Sequence, residues 1–95
     1  MKSFFVYILR CGDDSLYVGH TDDLERRWAQ HQSGEIPGYT ADHQPLELVH
    51  WEECGERIDA LERERQLKRW TKAKKEALIA GRMKNLHELA RRRVF

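Results

Sequence analysis

The stretch "LYVGHTDDLERRWAQH", residues 16–31, sets the architecture. It opens with "LYVG", short and apolar like a strand, and then carries two aspartates ahead of a helical repeat. At about 100° per residue, Leu24, Arg27, Trp28 and His31 fall on one stripe, while Glu25, Arg26, Ala29 and Gln30 lie elsewhere. Asp22 with Glu25 three residues on forms a capping box, and Gly34 is a fitting stop. The anomaly is Arg27, a permanent cation on the stripe that should face the core.

Upstream, residues 4–9 are apolar at both alternating positions, as in a strand covered on two sides. "CGDDS" is turn chemistry, so strands 4–9 and 16–19 form an antiparallel hairpin. Pairing Arg10 with Leu16 sets Tyr7 opposite Gly19 and brings Tyr7 and Tyr17 onto one face as diagonal neighbours. Downstream, "GEIPGYTADHQP" reads as a loop and "LELVHWEE" as a third strand. "ERIDALERERQLKRW" reads as a helix whose narrow apolar stripe holds Ala60, Leu61 and Leu67, with Glu64 and Lys68 inside it. Thr71 caps a further helix through Ala80, ended by Gly81, and "MKNLHELARRR" is a last helical stretch. The order β-β-α-β-α-α defines an α+β fold, a three-stranded antiparallel sheet flanked by helices on both faces. A chain of 95 residues suits one domain, here 1–95, with a core over about 4–80 and a helical extension over 81–95.

The formal net charge of +1 makes no polyanion footprint, so any basic surface must come from local clustering. Two cysteines, Cys11 and Cys54, stand far apart and in no metal-binding pair, which points to reduced thiols in a cytoplasmic protein. The apolar run at 4–9 is too short for a signal segment or a membrane span.

An ionised group on an apolar stripe is costly unless paired, hydrated or bound to an ion. Arg27 and Glu64 both stand in that position. A buried Arg27–Glu64 ion pair would account for the two together without further chemistry. The alternative is a site in which a guanidinium, one carboxylate, His31 and the hydroxyls of Tyr7 and Tyr17 surround an anionic substrate and one hard cation. A lone carboxylate suits Mg²⁺ or Mn²⁺ completed by water and substrate oxygens. That set fits hydrolysis of a phosphodiester.

"FVY" at 5–7, "YVG" at 17–19, "TDDLERRWAQH" and "ALERERQLK" together resemble the GIY-YIG nuclease superfamily, most closely its small single-domain UPF0213 group. The resemblance covers about residues 4–80. It implies a metal-dependent endonuclease acting on DNA, single-stranded or branched, in repair or processing. It implies that Tyr7 and Tyr17 are the motif tyrosines, that Arg27 stabilises charge on the scissile phosphate, and that Glu64 holds one divalent metal. His31 would assist proton transfer, and His20 and Lys68 would contact substrate phosphate. The first tripeptide lacks its glycine, and no appended DNA-binding domain accompanies the motifs, which argues against tight sequence-specific binding. Two rival readings use the same scaffold: a non-catalytic nucleic-acid-binding module, and a protein-interaction domain presenting Trp51, Trp70 and "RRRVF".

Overall fold

A computed structural model describes residues 3–81. Three antiparallel strands, β1 (Phe4–Arg10), β2 (Leu16–Thr21) and β3 (Glu47–Cys54), form one sheet in the order β2-β1-β3. The hairpin register is the predicted one: Arg10 lies opposite Leu16, and Tyr7 opposite Gly19. Side chains alternate across the sheet, so Val6 and Ile8 share one face with Val18. Ala60 and Leu67 of α3 (Arg57–Arg69) and Ile79 of the helix α4, residues 72–81, close that face into the core. On the other face Tyr7 and Leu9 are buried, and Tyr7 meets His31 of α1 (Leu24–Ser33). Cover on both sides is why β1 has no polar face.

Local chemistry departs from the sequence reading at three places. The N-cap of α1 is Asp23, not Asp22: its carboxylate accepts from the Arg26 N–H at 3.1 Å. The Thr21 hydroxyl accepts from the Asp23 N–H, which sets the chain so that Asp23 reaches the open helix end. Within the expected loop, Tyr39–Asp42 close a single helical turn, α2. Gly81, expected to stop α4, is itself helical and is the last described residue. Thr71 does cap α4, its hydroxyl accepting from the Lys74 N–H. The expected helix "MKNLHELARRR" lies outside the described residues.

Two ion-pair clusters fix the helices to the sheet. Arg63 of α3 donates to both carboxylate oxygens of Glu52 on β3, at 2.8 and 3.0 Å, and His50 adds a third contact at 2.7 Å. These donors hold Glu52 ionised down to about 2, the His50 contact contributing most. Arg10 grips Glu76 of α4 with two bonds of 2.6 Å and also reaches Asp14, to which Lys72 donates.

Candidate active site

Gly19 carries the geometry of the site. A Cβ there would lie 2.5 Å from Tyr7 Oη and 2.7 Å from Tyr7 Cζ. The phenol of Tyr7 therefore crosses the outer strand β2 in the space that a side chain would fill. It reaches His31, with Oη 2.8 Å from Nε2. The opposite ring nitrogen, Nδ1, lies 2.9 Å from the hydroxyl of Thr40, which α2 supplies. Gln44 Nε2 donates to the His31 carbonyl at 2.8 Å and ties the same segment to the end of α1. Tyr17 completes an aromatic triangle, its ring centroid 6.5 Å from Tyr7 and 5.4 Å from His31.

Charge approaches from two helices. Arg27 of α1 makes no hydrogen bond or ion pair with a described side chain, and it lines a polar hollow with His20 and Arg57. Glu64 of α3 is nearly buried, with 13% of its side chain exposed. One of its oxygens lies 3.0 Å from His20 Nδ1 and the other 3.5 Å from Lys68 Nζ. The buried Arg27–Glu64 ion pair that the sequence allowed is not formed; Glu64 takes His20 and Lys68 instead.

Both charges bear on the Tyr7 phenol. Burial above all pushes that phenol well above the ordinary tyrosine range; Tyr17 and Glu64 push the same way and Arg27 opposes them. Burial, then Arg27, pushes the His31 imidazole below its ordinary value, so it is neutral near pH 7. The resting state is thus a protonated phenol beside a neutral imidazole, with Oη and Nε2 2.8 Å apart.

The structure brings Tyr7, Tyr17 and His31 into direct contact, and Arg27 and Glu64 into electrostatic range of Tyr7. His20 is engaged with Glu64, and Lys68 is the outermost member, 55% exposed. Sequence reasoning missed Thr40, the second partner of His31. Nothing in "GYTAD" marks that threonine, because only the long-range packing of α2 brings it to the imidazole.

Among the described residues no three His, Cys, Asp or Glu side chains cluster around a common point. At this site the carboxylate available to a divalent ion is that of Glu64. Glu64 is suited to that role, because it is poorly hydrated and its second oxygen has only a long contact to an exposed lysine. Mg²⁺ and Mn²⁺ commonly keep most of their water and accept one or two carboxylates.

The model of the GIY-YIG catalytic domain matches residues 3–77, the span that holds the three strands and the side chains of the site. The chain belongs to the GIY-YIG family, a family of nucleases. Within it the chain is similar to the UPF0213 proteins, a designation that specifies no reaction. A UPF0213 protein of Natronomonas pharaonis is 45% identical over 76 residues, covering 80% of this chain and 89% of its own. One from Cronobacter sakazakii is 41% identical over 83 residues, 87% of each chain. The solution structure of a UPF0213 protein from Bacillus halodurans superposes with a TM-score of 0.54 at 36% identity, covering 82% of this chain and 83% of that one.

Proposed function

We propose that this protein is a metal-dependent endonuclease that hydrolyses DNA phosphodiester bonds in the cytoplasm, acting in repair or processing on single-stranded or branched DNA. The observation that carries this reading is the Tyr7 phenol, laid across Gly19 onto His31 within reach of the Arg27 and Glu64 charges. The free thiols of Cys11 and Cys54 agree with a reducing compartment.

Tyr7 is the group that activates water. Burial keeps the phenol protonated at rest, so it serves as a relay: its oxygen gains a proton from water as its own proton passes to His31, 2.8 Å away. In the tautomer with Nδ1–H donated to Thr40, Nε2 is free to take the Tyr7 proton as the phenolate oxygen withdraws one from water. Tyr17, with no side-chain hydrogen bond among the described residues, orients that water or a phosphate oxygen. The Arg27 guanidinium, with no side-chain hydrogen bond among the described residues, would neutralise charge on the phosphate as it develops. His20 holds one oxygen of Glu64, and Lys68, exposed beside the other, would contact a substrate phosphate. Mg²⁺ or Mn²⁺ held by Glu64 supplies Lewis-acid stabilisation of the leaving oxygen when bound.

The test is cleavage of labelled single-stranded, duplex and flapped DNA with Mn²⁺ or Mg²⁺ by wild type, Arg27→Ala and Glu64→Ala. Each variant should lose at least about a hundredfold in rate while keeping the wild-type circular dichroism. Nicking at wild-type rates by either variant, or by wild type under chelation, refutes the reading. Binding without product on every substrate favours the non-catalytic module.

A further inference from the structure

A hollow of about 300 Å³ shares Tyr17 and Lys68 with the hydrolytic scheme and extends beyond them to Tyr39 and Lys75, which that scheme does not use. Leu16, Tyr17 and Val18 of β2 form one side, Tyr39 of α2 another, and Lys68 and Lys75 its cationic rim. Tyr39 is 44% exposed, yet its ring is held firmly. His43 stacks on it, with centroids 3.8 Å apart and planes within 8°. The Tyr39 hydroxyl donates to Ser15, and Ser15 in turn donates to Asp13. The opposite wall is fixed to the same turn: Arg10 and Asp14 anchor Glu76 and Lys72 of α4, the helix that carries Lys75. Lys75 has no side-chain hydrogen bond or ion pair among the described residues.

A pinned, exposed aromatic ring above an apolar floor, rimmed by ammonium groups, suits a flat aromatic ligand with an attached anion. Immobilising the ring in advance lowers the entropic cost of stacking on it. Every nucleobase offers such a face, but only when it is unpaired, because a duplex buries it. We propose that this hollow is a subsite for one unpaired nucleobase, stacked on Tyr39 with its phosphate on Lys75, next to the scissile position. The proposal rests on the nuclease reading for its adjacency to the scissile phosphate. It deepens that reading by making strand state, not sequence, the property recognised.

The experiment is fluorescence anisotropy with the full chain under chelation, so that binding is read without cleavage. The probes are a labelled single strand, its blunt duplex, and a strand of equal length whose nucleotides are abasic. Wild type should bind the abasic strand roughly tenfold more weakly than the single strand. Tyr39→Ala should lose about as much on the single strand and less than about twofold on duplex, whereas Tyr39→Phe, which keeps the stacking face and loses only the Ser15 tie, should lose clearly less than Tyr39→Ala. Lys75→Ala should weaken both and lower the salt slope by about one counterion. Equal wild-type affinity for abasic and natural strands overturns the subsite, and it does so without any variant having to fold. Equal losses on strand and duplex by Tyr39→Ala overturn it too. Cleavage with Mn²⁺, measured separately, decides the nuclease reading: intact cleavage with no base dependence removes the subsite alone, and base-dependent binding with no cleavage removes the nuclease reading alone.

Discussion

Replacing Gly19 with alanine tests the site with a single methyl group. The new Cβ would meet Tyr7 Oη at 2.5 Å, Tyr7 Cζ at 2.7 Å and Tyr17 Cε1 at 3.2 Å. Ordinary contact begins near 3.4 Å, so the phenol must retreat by about 0.9 Å or the strand must bow. Tyr7 is 3% exposed and cannot swing into water. Retreat stretches the 2.8 Å bond to His31, the contact through which the phenol would shed its proton. Overpacking of this kind costs about 1–3 kcal/mol, which in a domain of this size lowers Tm by roughly 10 °C. The rate should suffer more, because misplacing a catalytic group by about 1 Å costs on the order of a hundredfold. Thermal melts and initial cleavage rates, taken well below the variant's Tm, separate the two effects. The coupling to Tyr7 is the sharper check. Tyr7→Phe has no hydroxyl to displace, so adding Gly19→Ala to it should lower the rate little further. A wild-type rate for Gly19→Ala, or a full multiplicative loss in the Tyr7→Phe background, would contradict this account of the glycine.

Two further outcomes follow from the buried ionisable groups. His31 is held neutral by burial and Arg27, so below its unfolded value of 6.5 the unfolded chain binds a proton that the folded chain refuses. Stability should therefore fall as pH drops below that point, and the fall should be shallower in His31→Gln; parallel Tm–pH profiles for the two proteins would count against it. Glu52, depressed from 4.5 to about 2, contributes stability that is fully present above pH 4.5 and lost as pH falls through about 2. The depression is worth up to about 3 kcal/mol, so Glu52→Gln should be destabilised at pH 7 in urea melts, with a difference from wild type that shrinks toward pH 2; a difference independent of pH would place the effect in packing instead.

What the sequence made legible depended on short-range rules. The facing of Tyr7, Gly19 and Tyr17 follows from the period of two and the length of the "CGDDS" turn, and the register is the expected one. Arg27 and Glu64 stood out because each breaks an apolar stripe. The rest depends on contacts between distant segments. The pairing of His20 with Glu64 spans 44 residues and leaves no local mark. Thr40 and Tyr39 come from a stretch whose Gly, Pro and Asp content reads as loop, although one helical turn within it supplies both. The choice of Asp23 over Asp22 as the cap turned on a single hydroxyl, that of Thr21.

The inward charges cease to be anomalous once the position of β2 is considered. It is the outer strand, and its consecutive residues serve opposite faces: Gly19 lies opposite Tyr7, and His20 opposite Val6. On one face the Tyr7 phenol meets α1; on the other, His20 meets Glu64 of α3. An ionised group placed beneath the central strand β1 would be stranded among Val6, Ile8 and Leu67, all fully buried. Near the edge strand, exposure instead rises in steps, from 13% at Glu64 through 30% at His20 to 55% at Lys68. Charges on an apolar stripe are tolerable there because the stripe runs out toward water, and a phosphate that displaces that water would meet them in a lower dielectric. The same edge that limits the cost of Arg27 and Glu64 is thus where a strand of DNA could reach them.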